Sequence, residues 1–170
     1  MGKLSSEIRR LIEDEMKAAV QDGRLIVIDQ YVSHEQFCLG LNAADVICTP
    51  YPRHIGSSGI VVRAAAIGKP ILASNYGWVG AVVSTFELGT TCSVSDSVEF
   101  AHHITECLEI ASEYRQTADS ARFVRFHTIS NFATHITTRL RSRMGVLPLR
   151  EHVSWHEVTT GIKHISPLLA

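Results

Sequence analysis

Apolar positions are laid out along this chain in two distinct patterns, one at helical spacing and one in short continuous runs. In 7–23, "EIRRLIEDEMKAAVQDG", Ile8, Leu11, Ile12 and Met16 recur at helical spacing; Ser5 and Ser6 stand before the run as caps and Gly23 stops it. The segment 24–32, "RLIVIDQYV", is short and rich in Val and Ile, which predicts a buried strand. Ser33 then caps a short helix, "HEQFCLGLNAA", and "DVICTPY" over 45–51 predicts a second strand closed by Pro50 and Pro52. A helix follows over 57–68, then a strand over 69–75. The segment 78–89 predicts a helix and 90–96 a short edge strand. Asp96 or Ser97 caps a helix over 98–114, and a long helical pattern fills 115–144 with a break near 127–130.

From Arg24 onward strand and helix alternate, and the strands are continuous apolar runs rather than alternating ones. That is the pattern of a parallel sheet covered by helices on both faces. With right-handed crossovers it predicts an α/β fold, a Rossmann-like doubly wound parallel sheet over 1–144 with its core in 23–140. From Gly145 to Ala170 the composition changes, with Pro148, Pro167 and an isolated "WHEVTTGIKHI", and 145–170 reads as a C-terminal tail. The chain opens on a helix, and three or four strands make a thin sheet. The pattern therefore predicts a fragment, or a sheet completed from elsewhere.

Composition narrows the function classes. The 170 residues hold 45 % apolar and 19 % charged positions, enough for a substantial core. The 16 basic and 17 acidic residues nearly cancel, which argues against a nucleic-acid partner. Cys38, Cys48, Cys92 and Cys107 are widely spaced within apolar segments, so they read as buried thiols in a reducing compartment and not as a zinc site. The N-terminus has no signal-peptide core and no stretch is long and apolar enough to span a bilayer, so the sequence predicts a soluble cytoplasmic protein. Arg139, Arg141 and Arg143 suit a helix C-terminus and also a peripheral membrane contact.

The candidate chemistry lies in "TPYPRHIGSSG", which joins a strand to a helix. Ligands of open α/β sheets bind at the carboxyl ends of the strands. There the backbone N–H groups of Gly56, Ser57, Ser58 and Gly59 meet the positive end of a helix dipole, a seat for a diphosphate. Arg53, His54 and Arg63 add donors. The plain alternative is a serine-capped helix whose glycines serve a tight turn; the pattern is neither a P-loop nor G-x-G-x-x-G. A second loop, "SNYGWVG", ends the next strand on the same rim and brings Gly77 to the site; Tyr76 and Trp78 would wall the crevice, and Trp78 reads equally as an ordinary core or surface aromatic. His127 and His135 share one side of the last helical stretch and read as structural.

The run from about Gly23 to Leu140 resembles the C-terminal, donor-binding domain of retaining glycosyltransferases of group 1, family 4, which have the two-domain GT-B fold. The carrying pieces stand in order: "GRLIVIDQYVSHEQFCLGLNAADVICTPY", "GSSGIVVRAAAIGKPILASNYG", "ELGTTCSVSDSVEFAHHI" and "NFATHITTRL". The resemblance implies a nucleotide-diphosphate sugar as donor substrate, no cofactor or bound metal, and a separate N-terminal domain for the acceptor. It implies that Gly56, Ser57, Ser58, Gly59 and Ile60 hold the donor phosphates. It places Tyr31, Val32 and Ser33 near the nucleobase, at the end of the first strand.

Arg63 stands where the family carries the second glutamate of its Glu, seven residues, Glu pattern, and none of His54, Ile55 or Gly56 supplies the first. A guanidinium cannot accept hydrogen bonds from a ribose, whereas it reaches a phosphate or a carboxylate-bearing sugar. No catalytic residue is identified, and the chain alone is expected to be inactive. The alternatives are a non-catalytic nucleotide-binding or structural remnant of the fold, and half of a sugar-nucleotide epimerase.

Overall fold

The computed structural model describes residues 1–146, 152–162, 166 and 169. The chain divides into two compact units, Met1–Ala43 and Ala44–Ala170, where the sequence predicts one domain over 1–144 and a tail over 145–170.

The first unit holds helices α1 (Ser6–Asp14), α2 (Lys17–Gln21) and α3 (His34–Ala43). Ser5 caps α1 by accepting from the Ile8 amide. Ser33 and Gln36 form a reciprocal pair before α3: the Gln36 amide donates to Ser33 Oγ and the Ser33 amide to Gln36 Oε1. The strand expected over 24–32 does not form. The run is extended but has no ladder partner among the described residues, and Ile26 and Tyr31 are more than three-quarters exposed. Apolar, β-branched composition supplies the propensity, whereas a strand also needs a neighbour with matching hydrogen bonds. The run is held by Asp29, which takes the Leu4 amide at 2.9 Å and pairs with Arg9 at 2.6 Å, and by two backbone bonds: the Ile28 carbonyl accepts from the Gly2 amide at 2.9 Å and the Leu25 amide donates to the Ala19 carbonyl at 2.8 Å.

The second unit is mixed α/β. Its strands are β1 (Ile47–Thr49), β2 (Ile71–Ser74) and β3 (Gly89–Cys92), and its helices are α4 (Gly59–Ala66), α5 (Gly77–Thr85), α6 (Ser97–Ile110), α7 (Ala118–Phe126), α8 (Ile129–Arg143) and α9 (Trp155–Thr159). The strands form one parallel sheet in the order β1-β2-β3, with Thr49 beside Ala73 and Ser74 beside Cys92. All four residues of β2 are buried, so both faces of the central strand are covered. α4 and α5 pack on the sheet, and α6 seals Leu72 and Cys92 with Cys107, Phe100 and Ile104. Cys92 and Cys107 are the buried thiols the sequence predicts, but Cys48 is exposed and Cys38 half-buried; all four are free. Cys48 lies on edge strand β1, whose alternate residues Ile47 and Thr49 turn inward.

An aromatic cluster closes the other side of the core. Phe123 and Phe86 are fully buried and their rings lie 5.1 Å apart. Trp78, Phe126 and His127 join them, and Trp155 of α9 packs on Phe86 and Phe126. The described part of 145–170 is thus tied to the core. Asn131 bonds both the amide and the carbonyl of Val153, and Arg122 donates to the Thr160 carbonyl. The expected helical break falls at α7–α8, where Thr128 Oγ1 caps the new helix by accepting from the Asn131 amide. Among the described residues no helix is long and apolar enough to cross a membrane.

Candidate functional site

Parallel pairing of β1 with β2 puts both carboxyl ends on one rim. Thr49 leads into the loop 50–58 and Ser74 into the short turn before α5. These loops touch. Gly77 has φ of +63°, and a Cβ there would run into the carbonyl oxygen of His54 and lie 3.1 Å from Ile55 Cα. Only a residue without a side chain lets loop 53–55 lie across the start of α5. Arg53, in the same loop, holds a left-handed φ of +54°, a backbone cost that non-glycine residues accept mainly where packing dictates it.

Above the start of α4 this loop leaves a notch of about 340 Å³, lined by Tyr51, His54, Ser57, Ser58, Gly59, Ile60 and Arg63. Ser58 is the N-cap residue, with extended backbone, and its side chain makes no capping hydrogen bond. The first-turn amides of a helix have no partner within the helix. They are not capped by Ser58, and the macrodipole makes that end positive. Arg63 sits one turn along and folds back: Nη1 lies 3.3 Å from the Gly59 carbonyl. A guanidinium and a helix N-terminus therefore converge on one notch, and none of its lining residues is acidic. His54 packs edge-on to Tyr51 at 5.4 Å between ring centres, which fixes the imidazole at the notch mouth. The arrangement matches the needs of an anion with several oxygens: backbone donors, hydroxyls and a planar cation.

The structure thus brings together His54, Ser57, Ser58, Gly59, Ile60 and Arg63 of the predicted site. Gly56 is exposed beside the His54 ring but does not line the notch, and neither do Arg53, Tyr76 and Gly77. Gly77 instead seats the loop. Val32 belongs to the first unit and lies at no strand end, because 24–32 forms no strand. Trp78 does not wall the crevice; its indole packs on Phe123 and His127. The sequence reading missed Tyr51, whose signal is its place directly after a strand at the rim. It also missed two buried hydroxyls, Thr49 Oγ1 and Ser74 Oγ, at the carboxyl ends of adjacent strands, which have no hydrogen-bond partner among the described residues. Most buried polar groups are paired, so two orphans on one rim mark a polar place in the fold.

His127 is a different case. Its Nδ1–H donates to the Phe123 carbonyl at 2.9 Å, and burial among aromatic rings pushes its pKa down. His102 and His103 share the Glu106 carboxylate at 3.3 and 2.7 Å. Among the described residues no group of three or more His, Cys, Asp or Glu side chains is placed to hold a metal ion. No protein-family model matches this chain, and neither a curated protein nor a solved structure matches it significantly.

Proposed function

We propose that the notch at the start of α4 binds the diphosphate of a nucleotide sugar. On this reading the chain is the donor-binding half, Rossmann-like and doubly wound, of a retaining glycosyltransferase. The observation that carries it is the convergence of the α4 terminus, which the Ser58 side chain does not cap, and Arg63 on a recess with no acidic lining residue at the carboxyl edge of a parallel sheet. Covered faces on the central strand and an ordered rim of two loops support the fold half of the proposal.

In such a reaction the sugar leaves a nucleoside diphosphate, and the protein's task is to stabilise the charge that develops there. The amides of Gly59 and Ile60 and the Arg63 guanidinium meet the phosphate oxygens; Ser57 and His54 supply further donors at the mouth. The acceptor site belongs to a second domain. Arg63 accepts nothing from a ribose, so the reading places recognition on the diphosphate rather than on the nucleoside.

Calorimetric titration with nucleoside diphosphates, the matching nucleosides and inorganic pyrophosphate tests this. Diphosphates bind and nucleosides do not. Arg63→Ala weakens binding by about tenfold to a hundredfold, the range of a charge-assisted hydrogen bond, and Ser58→Pro abolishes it. Failure of every nucleotide to bind, or indifference to Arg63→Ala, overturns the proposal. A second reading, a binding module without transfer activity, is favoured by the presence of Arg63 where the family carries a ribose-binding glutamate. It requires the matching nucleotide sugar to bind no more tightly than pyrophosphate, whereas a donor site gains affinity from the sugar.

A further inference from the structure

The helix α8 is packed inside out. Asn131, Thr134 and Thr138 share one side and are half-buried against the protein; Thr138 Oγ1 is fully enclosed and unpartnered among the described residues. The opposite side carries Ile129, Phe132, Ile136 and Leu140, which at 100° per residue fall within about 80° of one another. They are 87, 66, 43 and 59 % exposed, and Met144 beyond them is 76 % exposed. No residue of α8 is buried. An ordinary surface helix turns such a stripe to the core. At its N-terminal end the stripe runs into an apolar recess of about 320 Å³ between α7 and α8, whose walls include Phe126, Ile129 and Phe132.

Charge is segregated onto the same stretch. Residues 120–150 hold six arginines and no acidic residue, while all 17 acidic residues and the other ten basic ones lie elsewhere in the chain; of the six, Arg122 pairs with Asp119 at 3.3 Å just outside the stretch. On α8 itself Arg139 borders the stripe, and Arg143 continues it at the C-terminal end; both are exposed. An apolar band edged by arginines on a helix without acids is the pattern of an interfacial helix, whose apolar face enters the headgroup boundary and whose cations meet anionic lipid. Long arginine side chains keep their heads at that boundary. A second copy of α8 fits less well: side by side in parallel it sets arginine against arginine, and antiparallel it sets them against an uncharged end. A nucleic acid would meet four exposed apolar side chains where phosphates need donors.

We infer that α8 is a membrane-docking face that lies flat on an anionic phospholipid surface, independently of any ligand in the rim notch. Co-sedimentation of the full chain with phosphatidylcholine vesicles, with and without phosphatidylserine, tests this. The chain pellets with phosphatidylserine vesicles, less so as salt rises, and stays in solution with phosphatidylcholine alone. Arg139→Gln with Arg143→Gln lowers the partition coefficient by about tenfold or more. Phe132→Ser and, separately, Leu140→Ser reduce it similarly at unchanged thermal stability, because both side chains are exposed. Arg115→Gln, an exposed arginine outside the segment, changes nothing. Absence of binding overturns the inference. So does binding insensitive to both serine variants, or a dimer in sedimentation velocity that Phe132→Ser abolishes. Binding to an RNA oligomer in preference to vesicles overturns it as well.

Discussion

Gly77→Ala is the sharpest probe of the rim. The alanine must hold φ near +63°, where an L side chain costs about 1–2 kcal/mol. Its Cβ also lands on the His54 carbonyl and 3.1 Å from Ile55 Cα, which is backbone and cannot swing aside. Forcing an extra group into a packed place costs about 1–3 kcal/mol more. The sum is about 2–5 kcal/mol, a large share of the stability of an ordinary domain. Gly145 supplies the control. It has nearly the same conformation, φ +68°, but a Cβ there has nothing within 4 Å, so Gly145→Ala costs only the conformational part, about 1–2 kcal/mol. Urea unfolding followed by tryptophan fluorescence measures both, since Trp78 and Trp155, the only two tryptophans, lie in the second unit. The midpoint for Gly77→Ala falls well below that for Gly145→Ala, and diphosphate affinity falls with it if loop 53–55 lifts. Equal midpoints would refute the claim that this loop is seated on the glycine.

Two other predictions concern the second unit. Burial holds the folded pKa of His127 below the unfolded value of about 6.5, so the unfolded state takes up its proton first. Stability is therefore full above about pH 6.5, falls as the pH drops through that value, and levels off below the folded pKa; His127→Phe flattens this slope in urea midpoints measured across the acid range, and an unchanged slope would contradict it. Asp96 caps α6 by accepting from the Val98 and Glu99 amides at 2.8 and 3.1 Å, so Asp96→Ala lowers stability by about 1 kcal/mol in the same assay, while Asp96→Asn costs much less.

Where the determinants are local, the sequence made the fold legible. Asp96 before "SVEF" marks the start of α6, and Thr128 after a helical run marks the break between α7 and α8, because a cap is a contact between residues two or three apart. The glycine–serine cluster likewise announced the start of α4 and most of the notch lining. Three features were not legible, and each depends on a distant residue. Whether 24–32 becomes a strand rests on a ladder partner that no local pattern names. The placement of Trp78 follows from Phe123 and His127, more than forty positions away. Periodicity identifies the apolar side of α8 but not what covers it, and here Asn131, through Val153, turns the polar side inward.

The extended run over 24–32 carries a cost for anyone handling the protein. "LIVI", followed three positions on by Tyr31, is rich in strand formers and makes no ladder among the described residues, with Ile26 80 % exposed. Such a ribbon is a template for the same ribbon on another molecule, so concentrated samples should gelate or precipitate through it. A single lysine in place of Ile26 interrupts the match between molecules without touching the Asp29 contacts that fasten the segment.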